Sequence, residues 1–365
     1  MDKIKVAMIA NYLVKNGISN VIMNYCINMD KSKIDITIIV GTPVDPFYKK
    51  LCEKNNISIV ELPSRKGDTM AYYVALFKTL SYKRYDIVHV HGNSTTITVE
   101  LLIAKLKRIK GRVAHCHNST CSNIKIHKIL RPIFNRLYTH GFACSSLAGD
   151  WLFGSGKYDI LPNGFTTEKF VYTPVKRIEM RKQLGLDDKF VIGTVARFND
   201  QKNHPYLLKI FEAVAREKED AYLVLVGAGP NLERIKKMIA IHPYKDRIIY
   251  YGETNHVEWL YNAFDVFVLP TKFEGLGIVF IEAQINGLPV ITSNMVPPEV
   301  NIGNRTRFLP LDEDINRWKD AILNVEFIDR GSFAKEHEEE ISVYEIHSNA
   351  NRLLECYRKL KMSIN

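Results

Sequence analysis

Short runs of β-branched and aliphatic residues recur along this chain, each parted from the next by a helix-length segment, and the series runs through twice. The first series has candidate strands at residues 6–10, 34–40, 57–62, 87–90, 112–114 and 141–144. The second has them at 190–195, 222–226, 247–250, 266–269 and 290–292. Strands this rich in Val and Ile, alternating with helices, belong to parallel sheets covered on both faces. Between the series lies PNGFTTEKF (162–170), a turn-rich stretch suited to a connector. The expectation is an α/β protein of two doubly wound, Rossmann-like domains, residues 1–162 and 163–343, with a final helix in 344–365. A chain of 365 residues is long enough for both cores. Ligands of such sheets gather at the carboxyl ends of the strands, so a central cleft that the two domains face is the expected site.

Composition removes several classes. The six cysteines are scattered, with no CxxC pair, which fits a reduced, cytoplasmic protein. The first apolar run, residues 6–10, is too short for a signal sequence and reads as a strand. No segment approaches the roughly 20 apolar residues of a membrane span, so any membrane contact is expected to be peripheral, at the inner face. The net charge of +10 is unevenly placed: residues 1–160 hold 23 Lys and Arg against 11 Asp and Glu, and the remainder is slightly acidic. A basic half suits nucleic acid, an anionic membrane surface or an anionic substrate. With no helix-turn-helix, zinc-finger or RNA-motif signature, no nucleic-acid partner is expected. Residues 101–112 (LLIAKLKRIKGR) and 124–136 (IKIHKILRPIFNR) carry much of the excess. Both mix aliphatic with basic side chains, as interfacial helices do, and both would equally suit a solvated helix face.

The most specific feature is FEGLGIVFIE (273–282), directly after a strand ending FVLPT. Glu274 belongs in the loop and Glu282 one to two turns inside the following helix. Gly275 and Gly277 let backbone amides approach a ligand, and the helix N-terminus favours phosphate. Carboxylates beside a diphosphate would repel it, so their natural partners are hydroxyls, and a sugar nucleotide offers these on ribose and hexose alike. Upstream, ARFNDQKN places Arg197 and Lys202 in a polar loop at a strand end, where two cations can neutralise a leaving diphosphate in place of a metal ion. No paired-Asp motif for Mg²⁺ or Mn²⁺ is present, so no metal cofactor is expected. LVGAGP ends the next strand with Gly227 and Gly229, a pattern that any tight strand-to-helix turn also uses.

Together, ARFNDQKN, LVGAGP and PTKFEGLGIVFIEAQINGLPVI resemble glycosyltransferase family four, the retaining GT-B enzymes that build capsules, exopolysaccharides, lipopolysaccharide cores and glycolipids. The resemblance is strong over residues 190–300 and implies the GT-B fold for the whole chain, with the last helix packed back on the first domain. It implies that Glu282 binds ribose hydroxyls, Glu274 a hydroxyl of the transferred sugar, and Arg197 with Lys202 the diphosphate. Backbone amides of Gly275, Leu276, Gly277 and Ile278 would contact donor sugar or phosphate, with Gly227 on the same side. The family opens with a Gly-Gly loop followed by Glu; here NGISN keeps Gly17 as a donor contact, with Asn16 for one glycine and Ser19 where the acid is common. The donor implied is a nucleotide diphosphate sugar, UDP-linked before GDP-linked, and the acceptor a saccharide or lipid-linked saccharide.

Histidines cluster at strand ends in VHVHG (His89, His91) and AHCHNST (His115, His117). Alternation places each pair on one face of its strand. No Cys or carboxylate completes a zinc site at ligand spacing. By resemblance, His117 matches the family's active-site histidine near the donor sugar, while His91 and Asn118 are expected on the acceptor side. The catalytic set is therefore His117, Arg197, Lys202 and Glu274. The competing readings are a GT-B sugar-nucleotide epimerase, a GT-B phosphorylase, for which the chain is short, and a catalytically silent partner that binds sugar nucleotide.

Overall fold

A computed structural model describes residues 3–14, 16–312 and 314–362. The chain divides into two compact units. One takes the chain up to Phe165 and resumes at Val343; the other is Thr166–Ser342.

The first unit is built on seven parallel strands: β1 (Ile4–Ala10), β2 (Ile34–Gly41), β3 (Ser58–Leu62), β4 (Ile87–His91), β5 (Gly111–Cys116), β6 (His140–Ala143) and β7 (Asp159–Ile160). Their order is β3-β2-β1-β4-β5-β6-β7. β1 buries six of its seven residues because helices cover both faces, which is why its sequence is nearly all apolar. The Ile346–Met362 helix completes this unit. It packs beside the Gly17–Asn28 helix and buries Leu353, Leu354 and Tyr357. Backbone pairing of Phe165 with Glu345 brings the returning chain back to the unit it left.

The second unit has six parallel strands: β8 (Phe190–Val195), β9 (Ala221–Val226), β10 (Ile248–Gly252), β11 (Val266–Leu269), β12 (Val290–Ser293) and β13 (Thr306–Leu309). Their order is β10-β9-β8-β11-β12-β13. Phe211, Leu225, Val268 and Trp318 lie in its core, and the Trp318 indole donates to the Pro310 carbonyl at 3.0 Å. Asp265, just before β11, accepts from Arg177 at 2.6 Å, Arg181 at 3.2 Å and the Val191 amide at 2.7 Å, tying the Pro174–Leu184 helix to the sheet.

The sequence reading had neither β7 nor β13. β7 is only two residues long, and β13 (TRFL) has polar residues at half its positions, so neither shows an apolar run. The order of strands reverses between β1 and β4 in one sheet and between β8 and β11 in the other, which is where a doubly wound sheet opens a crevice at its carboxyl edge.

Candidate functional site

In the first unit the residues singled out in the sequence lie at the carboxyl edge of β1, β4 and β5. Asn16 caps the Gly17–Asn28 helix: its side chain accepts from the Ser19 amide at 2.9 Å, and the buried Ser19 hydroxyl in turn accepts from the Val14 amide at 3.2 Å. The departure from Gly-Gly and Glu is thus a local capping arrangement, in which a short polar side chain satisfies a first-turn amide. Gly17 has no conformational need to be glycine. Its φ is not positive, and a Cβ there would meet nothing within 4 Å.

β4 and β5 pair in register with His91 opposite His115, so all four histidines share one sheet face. Their rings form a pile, with centroids 4.3 Å apart for His89 and His91, 5.1 Å for His91 and His117, and 4.1 Å for His115 and His117. His89 Nδ1 meets the Tyr357 hydroxyl at 2.5 Å. His91 Nδ1 meets His117 Nε2 at 2.9 Å, and His117 Nδ1 lies 3.4 Å from Asn163 Oδ1. Burial drives His89, His91 and His115 well below the ordinary histidine range and takes His117 down to about 4, so all four are neutral at pH 7.

His91, the residue expected on the acceptor side, stacks on His89 and sits beside His117. It is buried, and its Nδ1 is spent on His117, so it braces that residue from behind. Asn118 is half-buried and its side chain accepts from the Ser119 amide at 2.8 Å, within its own loop. The sequence offered no metal-ligand spacing, yet the fold brings nitrogens of His89, His91 and His115 within 4.8 Å of one another. The His89 and His91 rings are stacked at 15°, whereas ligands of one cation aim their in-plane lone pairs at a common point.

The second unit assembles the larger group, at the ends of β8, β9 and β11. Lys202 Nζ lies 2.5 Å from Glu274 Oε1, and Gln201 Nε2 donates to Glu274 Oε2 at 3.3 Å. The loops after β8 and β11 are therefore joined by the residues the two motifs supplied. The Arg197 side chain is exposed on the same β8 loop and makes no ion pair among the described residues. Gly227 has φ +125° and a Cβ there would come within 2.2 Å of the Ala196 carbonyl oxygen, so it lets the β9 loop pass directly under the Arg197 loop.

Gly277 precedes the Ile278–Ile285 helix with φ +89°, and among the described residues no side chain caps that N-terminus. The Phe280 amide donates to the Gly277 carbonyl at 3.1 Å, and the partial positive end of the helix faces the loop as a place that favours an anion. Glu274, Gly275 and Leu276 are buried, while Gly277 and Ile278 are partly exposed. Glu282 faces the Tyr261 hydroxyl, which donates to Oε2 at 2.7 Å. Burial pushes the Glu282 carboxyl up to about 7, the bond from Tyr261 opposes that shift, and the charge of Glu258 adds to it. Sequence reasoning missed Gln201, Tyr261, Asn163 and Tyr357. Gln201 sits inside a recognised motif; the other three are contacts between distant elements and leave no local signal.

Two family descriptions match: Glycosyl transferases group 1 over residues 176–335 and Glycosyltransferase Family 4 over residues 15–169. EpsF of Bacillus subtilis, named as a glycosyltransferase, is 29% identical, with 94% of this chain and 93% of that one aligned. The Escherichia coli UDP-Gal:alpha-D-GlcNAc-diphosphoundecaprenol alpha-1,3-galactosyltransferase is 26% identical over 89% of this chain and 88% of its own. Among solved structures, Anabaena HepE in complex with UDP and glucose superposes with a TM-score of 0.77 at 15% identity, covering 98% of this chain and all of that one. With a parallel α/β unit in each half, the chain belongs to the GT-B glycosyltransferases of family-four type. It is a glycosyltransferase.

Proposed function

We propose that this enzyme moves a hexose or N-acetylhexosamine, with retention, from a UDP-sugar to a saccharide or lipid-linked saccharide in cell-surface polysaccharide synthesis, capsule or exopolysaccharide, at the cytoplasmic face of the membrane. The observation that carries the reading is the group in the second unit: Arg197 exposed, Lys202 on Glu274, and Glu282 on Tyr261, all at the carboxyl ends of β8 and β11 or in the helix that follows. The nucleotide-binding half is then the second unit, and the acceptor half the first. The relatives point the same way, since one is named for a UDP-sugar donor and a diphospholipid-linked acceptor.

In this reading Glu282 accepts from the ribose hydroxyls and the amides of Gly275, Leu276, Gly277 and Ile278 hold donor phosphate or sugar. Gly17, with open space around its missing Cβ, is a donor contact in the same reading. As the anomeric carbon–oxygen bond breaks, negative charge grows on the leaving diphosphate. Arg197 and Lys202 offset it without a metal ion. Glu274 accepts from a hydroxyl of the transferred sugar, so donor entry exchanges its bond to Lys202 for a sugar contact and frees the ammonium for phosphate. The acceptor hydroxyl attacks on the face the phosphate leaves, its proton passes to the departing phosphate oxygen, and the products are the new glycoside and nucleoside diphosphate. His117, neutral and braced by His91, orients the sugar. Lys202→Ala is expected to lower turnover about 10²- to 10³-fold, and near-normal transfer by it would end the charge-stabilisation account.

The test of the function is thermal stabilisation by a panel of UDP- and GDP-sugars without metal, because a ligand of the folded state alone raises its apparent stability. One donor is expected to raise the melting temperature, and Glu282→Ala to abolish the shift. A flat response to the whole panel would favour the silent-partner reading.

A further inference from the structure

The two aliphatic-basic stretches of the first unit have different fates. In residues 101–112 most of the aliphatic side chains are interior: Leu101, Ile103, Ala104 and Ile109 are buried, and of the aliphatic residues Leu102 and Leu106 stand out. The Ile124–Phe134 helix is anchored by two residues of its inner side. His127 stacks on Trp151 at 4.4 Å and accepts from the Thr95 amide at 3.1 Å, and Phe134 is fully buried. With that side fixed, Ile124, Ile126, Ile129 and Ile133 are 47%, 43%, 72% and 49% exposed. At 100° per residue, Ile126, Ile129 and Ile133 fall within a sector of about 60°. A solvated helix face does not carry three isoleucines in one stripe.

Charge names the occupant. From Leu101 to Gly149 the chain has nine Lys and Arg and not one Asp or Glu. Lys125 and Lys128 lie on the exposed side of the helix, and Arg136 follows it. The neighbouring Thr98–Leu106 helix, which packs against it, adds Lys105 beside the exposed Leu102 and Leu106. Next to these, Lys107 Nζ sits 3.3 Å from the ring centroid of the half-exposed Phe77. Aliphatic side chains beside long cationic ones suit an interface in which the apolar stripe enters the acyl boundary and the ammonium groups stay at the level of anionic headgroups.

We propose that the Ile124–Phe134 helix, with Leu102 and Leu106 beside it, is the surface by which this enzyme docks on an anionic lipid bilayer. This deepens the membrane-face part of the proposed function and rests on it for its purpose. Residues 118–123 run from His117 straight into this helix, so docking holds the His117 loop at the lipid surface, where a lipid-linked acceptor presents its saccharide.

The test is co-sedimentation of the full chain with vesicles of phosphatidylcholine alone or with one third phosphatidylglycerol. The expected result is binding to the anionic vesicles only, weakened by salt. Ile129→Glu with Ile133→Glu should cut the bound fraction at least tenfold, and Lys125→Glu with Lys128→Glu should remove the preference for anionic lipid, each with an unchanged melting temperature. These side chains are exposed, so both variants should fold. Wild-type protein left in the supernatant at low salt, isoleucine variants that bind like wild type, or a stripe that proves to bury itself between two copies would each overturn the proposal. The UDP-sugar melting shift of the same variants keeps the two readings apart, since it reports the donor site whatever the vesicles do.

Discussion

Glu282 shows how one side chain's surroundings set its use. Its carboxyl titrates near 7 because burial disfavours the charge more than the Tyr261 hydroxyl restores it. A carboxylate accepts from both ribose hydroxyls only when ionised. UDP-sugar binding is therefore expected to weaken by up to about tenfold per pH unit below 7, measured by calorimetric titration. Glu282→Gln should bind more weakly at pH 8 and show no such slope. Tyr261→Phe, which removes the bond that opposes the shift, should move the midpoint upward. Gly17 yields a contrasting expectation, since open space surrounds its missing Cβ. Gly17→Ala should leave the denaturation midpoint within about 0.5 kcal/mol of wild type and weaken donor binding. Equal affinity in both proteins would place the donor elsewhere.

At the scale of elements, the loops after β9 and β11 use one device, a glycine with positive φ that lets the loop turn tightly beyond the strand. In the β11 loop, Gly277 has φ +89° and a Cβ would sit 2.5 Å from the Phe280 ring. Gly277→Ala is expected to cost roughly 1–3 kcal/mol from the backbone conformation alone, seen as a lower urea midpoint, together with loss of donor binding as the Ile278–Ile285 amides turn away. The sequence showed this loop in full, because FEGLGIVFIE carries glycines, carboxylates and helix start within ten consecutive residues. It showed the β4 and β5 histidines as pairs but not their joint pile, which depends on a register between strands more than twenty residues apart. Hence the sequence, which places His91 on the acceptor side, carries no sign of its contact with His117, which only the strand register creates.

For the whole molecule, the buried histidines couple folding to pH. Unfolded imidazoles gain protons as pH falls through about 6.5, while His89, His91, His115 and His117 remain neutral until much lower. The unfolded state then binds more protons, so stability falls as pH falls, by up to about 1.4 kcal/mol per pH unit for each such histidine. The melting temperature should drop steadily between pH 7 and 5.5, where most carboxylates stay ionised; an unchanged value across that range would contradict the buried, neutral pile. The sequence by itself determined the fold class, the doubling of the α/β pattern and the glycine-rich and charged loop motifs, because hydrophobic period, turn glycines and short charged motifs are local properties. Tertiary structure alone decided which Ile-rich helix is left uncovered, which histidine is braced and which partner tunes Glu282. Each of those depends on contacts between residues far apart in the chain, and burial, which sets both pKa and exposure, exists only once those contacts form.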